Sequence, residues 1–350
     1  MSKDRDMSQA LLDQVNQALR LGTALRIQGG NSKAMLGRPV TGELVDTRNH
    51  RGIVSYDPTE LVITARAGTP LLEIEAALHE AGQMLPCEPP HLGAEATLGG
   101  VVAAGLSGPR RPWAGAVRDY VLGTRVITGH GKLLRFGGEV MKNVAGYDVS
   151  RLMAGSFGCL GLLTEVSLKV LPQPRQCLSL CLPMGRQQAL AALSEWGQQP
   201  LPISAACHDG EALYLRLEGG EGSVQSARQR LGGDELDSGF WHDLREQRLA
   251  FFDDPAPLWR LSVPIASGAL NLPGRQLIDW GGAQRWLKSS ASAQSIRAAV
   301  AQVGGHVTGY APGEDSSAPL PAALLRYHRA LKQQLDPQGI FNPGRLYPDL

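Results

Sequence analysis

The stretch that decides the fold is Ala96-Thr97-Leu98-Gly99-Gly100-Val101-Val102-Ala103-Ala104-Gly105-Leu106-Ser107-Gly108. Small residues every few positions let a flat ligand lie against backbone, and the Thr97 hydroxyl can donate or accept a hydrogen bond. The same spacing also suits a helix packed closely on a sheet. Working outward, an upstream cluster, Gln28-Gly29-Gly30-Asn31-Ser32-Lys33, follows directly on the strand-like residues 24–28. Its successive amides can turn inward as a nest for anionic oxygens, with Lys33 adding charge, though a plain turn accounts for the same residues. Downstream, Gly155-Ser156-Phe157-Gly158-Cys159-Leu160-Gly161-Leu162-Leu163-Thr164 precedes a strand, which permits close backbone approach or a bulged strand entry. None of these clusters is a common nucleotide loop. The chain has no Gly-x-Gly-x-x-Gly between a strand and a helix, and no Gly-x-x-x-x-Gly-Lys-Ser/Thr. His-Glu-x-x-His, an EF-hand loop and Gly-x-Ser-x-Gly are absent as well.

Around these clusters, 350 residues suggest about two domains. Hydrophobic residues at 43% and charged residues at 19% exclude a disordered chain or a coiled coil. A net charge of +1 supplies no basic field for nucleic acid. The five cysteines, Cys87, Cys159, Cys177, Cys181 and Cys207, offer no zinc spacing, and no metal site is expected. Charges scattered through the first residues, with no apolar signal core, point to a reducing cytoplasm. No run of 18 apolar residues spans a membrane.

The pattern predicts a helix over 7–20, strands at 24–28, 43–46, 52–56 and 61–67, and a helix from Pro70 to a Gly82 cap. A hairpin at 120–138, a short helix near 148–154 and a strand at 161–172 close the first half. The prolines at 171–176 mark a linker. Beyond it come strands at 176–182, 203–208, 212–218, 258–263, 276–282, 283–289 and 305–310. Helices are expected at 185–197, 222–231, 240–252 and 292–303, and again at 320–335. This alternation points to an antiparallel sheet covered by helices.

Taken in order, the glycine clusters resemble the FAD-binding domain of the vanillyl-alcohol oxidase / p-cresol methylhydroxylase family of FAD-linked oxidases. Further motifs narrow the resemblance to the FAD-binding subunits of bacterial glycolate oxidases. They are Leu85-Pro86-Cys87-Glu88-Pro89-Pro90, Ser107-Gly108-Pro109-Arg110-Arg111-Pro112-Trp113, Val140-Met141-Lys142-Asn143-Val144-Ala145-Gly146-Tyr147-Asp148 and Gly339-Ile340-Phe341-Asn342-Pro343-Gly344-Arg345. The resemblance is specific over about 20–175, weaker over 176–330 and clear again in the tail. It implies an α+β chain: a two-part p-cresol methylhydroxylase-type FAD domain over 1–175, an α/β cap domain over 176–330 and a tail, 331–350, returning to the FAD domain.

By that resemblance Gln28, Gly29, Gly30, Asn31, Ser32 and Lys33 would hold the FAD pyrophosphate. Thr97, Gly99, Gly100 and Gly105 would line isoalloxazine and phosphate, while Gly155, Gly158, Gly161 and Leu163 would contact the flavin and its dinucleotide. Relatives that attach flavin covalently use a histidine in the first loop; Gly30-Asn31-Ser32 has none, so non-covalent FAD is expected. The implied role is the FAD-binding subunit of a multi-subunit glycolate (2-hydroxy-acid) oxidase, with a homologous FAD-linked oxidase subunit and an iron–sulfur subunit as partners. The alternatives are a self-sufficient hydroxy-acid dehydrogenase and a non-catalytic scaffold.

Catalytic residues are not fixed by the sequence. Oxidising a 2-hydroxy acid needs a base for the hydroxyl proton and a cation for the carboxylate. Arg110 and Arg111, expected in a stiff extended loop between Pro109 and Pro112, could clamp a carboxylate, balance phosphate charge or dock a partner. Tyr147 with Asp148 could be a base and its orienter, but Asp148 equally suits a helix N-cap. His306 stands where related dehydrogenases carry a Gly-Asp-Gly-Asn-x-His segment, without the Asp and Asn, and reads as a structural histidine. His91 is of interest because it lies beside the second cluster.

Overall fold

A computed structural model describes residues 5–139, 146–311 and 317–350; Val140–Ala145 of the motif that ends at Asp148 lie outside the described residues. The chain divides into two compact units. The first comprises residues 5–106, 116–172 and 319–350; the second comprises 107–115 and 173–318.

In the first unit, helix α1 (Ser8–Leu21) buries Leu11, Val15 and Ala18 along one stripe and stops at Gly22, whose φ of 64° is the left-handed C-terminal cap. Strands β1 (Leu25–Gln28) and β2 (Glu43–Asp46) pair in parallel. Next come β3 (Ile53–Asp57), β4 (Val62–Arg66), α2 (Leu71–Glu80), the short β5 (Gln83–Met84) and α3 (Leu98–Ala104). A helical turn, α4 (Arg111–Ala114), belongs to the second unit. The chain then returns through α5 (Val117–Tyr120), β6 (Val121–Ile127), β7 (Leu133–Gly137), α6 (Val149–Leu152), β8 (Leu162–Lys169) and β9 (Leu171–Pro172).

A five-stranded antiparallel sheet in the order β3-β4-β8-β6-β7 carries the core. Ile63, Ala65, Val166 and Leu168 of its inner strands pack with Leu71, Ile74 and Leu78 of α2 and with Leu98, Val101 and Val102 of α3. Both β4 and β8 are buried almost end to end, with Thr64, Thr164, Glu165 and Ser167 buried alongside their apolar residues. A smaller core joins α1 to β1, β2 and the tail residues Ile340 and Phe341.

The second unit runs β10 (Gln176–Pro183), α7 (Arg186–Trp196), β11 (Ile203–His208), β12 (Ala212–Gly219), α8 (Glu221–Leu231), β13 (Asp234–Leu236), α9 (Gly239–Arg245), β14 (Leu258–Ser262), β15 (Arg275–Asp279), β16 (Gln284–Lys288), α10 (Ala293–Ala301) and β17 (His306–Gly309). The last helix, α11 (Ala322–Leu335), belongs to the first unit. The eight-stranded sheet has the order β13-β10-β12-β11-β15-β16-β14-β17. Its first four strands with α7 and α8 form a βαββαβ motif in ferredoxin-like order. The last four strands repeat that order with only the second helix, α10, in place. The two halves meet at a single paired position, His208 with Ile278. Each half buries its own core: Leu180, Leu213, Leu215 and Leu217 under α7 and α8, and Leu261, Leu287 and Val307 under α10.

Three elements depart from the sequence reading. Arg111–Ala114 is a helical turn, not an extended loop. Pro112 sits in its first turn, where a fixed φ is helix-compatible and no N–H is missed. The helix expected over 240–252 ends at Arg245, because Gln247 takes a φ of 58°. The strands expected at 276–282 and 283–289 are parted by a turn in which Trp280, Gly281 and Gly282 all have positive φ.

Candidate functional site

The first loop leaves the end of β1 between Thr47 and residues 95–97. The Thr47 amide donates to the Gln28 carbonyl (2.9 Å), extending the parallel pair by one residue before the chain turns away. A Cβ on Gly29 would stand 2.3 Å from Thr97 Oγ1, and one on Gly30 would stand 1.4 Å from the backbone oxygen of Glu95. Only glycine lets this loop lie against residues 95–97. Lys33 Nζ donates to the His91 carbonyl (2.9 Å) and Ser32 Oγ (3.2 Å), so the lysine pins the loop laterally. The His91 ring is itself engaged, its Nε2 lying 3.0 Å from Glu75 Oε2.

The second cluster is α3 and its approaches. Gly99 donates from its amide to the Ala67 carbonyl (2.7 Å), and a Cβ there would meet Ala67 Cβ at 2.7 Å. A Cβ on Gly100 would stand 3.2 Å from Thr97 Oγ1. Thr97 stands at the N-cap with extended backbone, yet its hydroxyl caps nothing. That oxygen is buried and has no hydrogen-bond partner within the protein. A buried, unpaired hydroxyl costs about 1–3 kcal/mol unless something completes it.

The third cluster closes on the second. The amides of Gly155 and Phe157 donate to the carbonyls of Val102 (3.0 Å) and Ala103 (2.9 Å), the last turn of α3. Gly105, φ 65°, would place a Cβ 2.9 Å from the Gly155 nitrogen. Ser156 Oγ is a second buried hydroxyl without a partner. A Cβ on Gly158 would meet Asn342 Nδ2 at 2.7 Å, and one on Gly161, φ 155°, would meet Val126 Cγ1 at 2.7 Å. Leu163 points its side chain into the sheet core. Burial pushes the Cys159 thiol up to about 11, which keeps it protonated and unreactive near neutral pH.

The structure thus brings all three glycine clusters together in the first unit: the first against the second through Gly29 and Thr97, the second against the third through Gly105 and Gly155. The catalytic candidates have partners of their own or are exposed. Arg110 is ion-paired with Glu218, which also meets Arg216 Nε at 3.5 Å. Arg111 lies over the Trp280 ring, 4.4 Å from its centroid, and the Trp280 indole donates to the Gly108 carbonyl (3.0 Å). Tyr147 is 98% exposed. Asp148 accepts from the Arg151 amide (3.0 Å) as the N-cap of α6. His306 lies on the edge strand β17. Among the described residues no three His, Cys, Asp or Glu side chains converge as a metal site. Ser156 and Asn342 lie inside quoted stretches but carry no role in the sequence reading, and Lys332 and Asp336 are absent from it.

The donor set fits FAD. Small residues leave backbone open to a flat ring system, clustered amides suit a pyrophosphate, and two buried hydroxyls lack partners. These features define an FAD-binding domain, and residues 7–137 match the family described as "FAD binding domain". Along its whole length the chain is 64% identical to the glycolate oxidase subunit GlcE of Escherichia coli (strain K12), the alignment covering 100% of both chains. The chain belongs to the family of that subunit. The glycolate oxidase subunit GlcD of Bacillus subtilis (strain 168) is 36% identical over 137 residues, 39% of this chain and 29% of that protein. Among solved structures, alkyldihydroxyacetonephosphate synthase superposes with a TM-score of 0.70 at 18% identity, covering 97% of this chain and 76% of that one. That likeness bears on the fold, and shows the same α+β architecture.

Proposed function

We propose that this chain is the FAD-binding subunit of a multi-subunit oxidase that converts glycolate, a 2-hydroxy acid, to glyoxylate. The observation that carries the reading is the convergence of the first and third glycine clusters on α3, whose N-cap Thr97 has a buried, unpartnered hydroxyl, in a chain related to GlcE over its full length. When bound, FAD supplies two-electron redox chemistry. The protein's own part is to hold it. Gly29, Gly30 and Asn31 present amides to the pyrophosphate, with Gln28, Ser32 and Lys33 fixing the loop. Thr97 Oγ1 completes its hydrogen bonding on the cofactor, and Gly99, Gly100 and Gly105 leave room for the flat ring. Gly155, Gly158, Gly161 and the backbone at Leu163 close the other side. Attachment is non-covalent, since Gly30-Asn31-Ser32 offers no nucleophilic histidine and His91 is occupied by Glu75.

The first unit carries the flavin and the second forms the cap. The engagement of Arg110 by Glu218 and of Arg111 by Trp280 supports substrate oxidation on a partner rather than on a carboxylate clamp of this chain. The partners are a homologous FAD-linked oxidase subunit, in keeping with the likeness to GlcD over 137 residues, and an iron–sulfur subunit that receives the electrons. No described helix is long and apolar enough to cross a membrane. We place the assembly in the cytoplasm, touching the inner membrane only through partners.

The test is anaerobic reduction. The chain purified alone with FAD should not bleach on adding glycolate or D-lactate, and should bleach once the partner subunits are present. Rapid bleaching of the isolated chain would make it a self-sufficient dehydrogenase instead.

A further inference from the structure

Helix α11 is exposed along almost its whole length, and the residue it buries is a lysine. Lys332 Nζ donates to three oxygens, each at 2.8 Å: the Cys159 carbonyl, the Phe341 carbonyl and Asp336 Oδ2. Asp336 is fully buried, and its two oxygens accept from the amides of Ile340 (3.1 Å) and Phe341 (2.9 Å). The pair therefore directs its charge at the backbone of Cys159, Ile340 and Phe341, the last two immediately before Asn342. That residue has a φ of 40°. Its Oδ1 accepts from the Ile27 amide (2.8 Å), its Nδ2 donates to the Phe157 carbonyl (2.7 Å) and its own amide donates to Leu25 (3.0 Å).

These bonds land on β1 two residues before Gly29 and on the turn between Gly155 and Gly158. A clamp that merely anchored the tail could bond anywhere on the first unit; this one joins the ends of two ligand loops. We propose that Asn342, held in place by the Lys332–Asp336 pair, is a positioning residue that sets the separation of the first and third glycine loops and through it the affinity for FAD. The proposal rests on the reading that the first unit binds FAD.

The test is titration of the full-length apo chain with FAD, followed by flavin fluorescence and by visible circular dichroism at saturation. Asn342→Gly keeps the left-handed backbone accessible while deleting both side-chain bonds. It is expected to weaken FAD binding about tenfold, equivalent to about 1.4 kcal/mol, and to alter the dichroism of the bound flavin. Asn342→Asp keeps the acceptor for Ile27 and loses the donor to Phe157, and should weaken binding by roughly severalfold. Leu261→Ala, in the core of the second unit, should lower the melting temperature and leave FAD affinity unchanged. If both Asn342 variants bind FAD within about twofold of the parent with unaltered dichroism, the residue is only a structural anchor and the proposal fails. A parent chain that binds no FAD would instead remove the underlying reading.

Discussion

Gly30→Ala is the sharpest perturbation the site offers. A Cβ at Gly30 falls 1.4 Å from the Glu95 oxygen and 2.3 Å from its carbonyl carbon. Ordinary contact needs about 3.5 Å, so one backbone or the other must move by about 2 Å. Residues 95–97 have little freedom to yield. The Ala96 carbonyl accepts from Leu71 (2.8 Å), the Leu98 amide donates to Thr69 (2.9 Å), and Thr97 bridges Pro70. Overpacking of this kind costs about 1–3 kcal/mol, so the dissociation constant for FAD should rise roughly tenfold to a hundredfold. Gly29→Ala provides the internal comparison, because its clash is with a side-chain oxygen, Thr97 Oγ1, at 2.3 Å. Thr97→Ala alone should weaken FAD by about 1 kcal/mol, the worth of one hydrogen bond. Combined with Gly29→Ala it should cost clearly less than the two singles added together; combined with Gly30→Ala it should give no relief. Fluorescence titration of all five variants measures the cycle. A Gly30→Ala chain with parental affinity and melting temperature would refute the reasoning, as would equal coupling of Thr97 to Gly29 and Gly30.

In the second unit, Glu218→Gln removes the carboxylate charge that pairs with Arg110, and a melting curve should show a loss of about 1–3 kcal/mol; an unchanged melt would mean the pair is dispensable. Stability should also depend on His50, which is 1% exposed, accepts from the Met7 amide at Nδ1 (2.9 Å) and lies 3.0 Å from the Thr164 carbonyl at Nε2. Burial holds its pKa below the ordinary 6.5, with Asp6 opposing that and Arg66 reinforcing it, so the unfolded chain takes up the proton first. Stability is therefore full above 6.5 and falls as the pH drops toward the folded value; melting curves between about pH 7.5 and pH 5.5 should show a steeper decline for the parent than for His50→Gln. Identical slopes would remove His50 as the cause.

Much of the fold is legible where one periodicity dominates. The stripe of Leu11, Val15 and Ala18 makes α1, and Pro70 and Gly82 bracket α2. The strands expected at 176–182 and 212–218 are likewise present as β10 and β12, which the fold pairs from Gln176 with Gly219 to Pro183 with Ala212. Long-range features were hidden. The duplication in the second unit leaves no repeated sequence, and its halves are joined in the sheet by one paired position, His208 with Ile278. Arg110 and Arg111 read as an extended loop because prolines flank them; their actual conformation is stabilised by Glu218 and Trp280, more than 100 residues away. Within the site, the three clusters could be quoted from the sequence but their convergence could not. Thr97 stood out for its hydroxyl, whereas the reason it matters, that the hydroxyl is buried without a partner, exists only in the folded chain. Lys332 and Asp336 give no signal in the sequence, since nothing local shows that Ile340 and Phe341 fold back onto them.

The account turns on cofactor uptake, and a direct measurement of it is the flavin content of the chain purified by itself and reconstituted with excess FAD. The expected result is one FAD per chain, released into the filtrate when the protein is denatured. A folded chain that takes up no FAD would contradict the account; flavin that stays with the denatured polypeptide would overturn its claim of non-covalent binding.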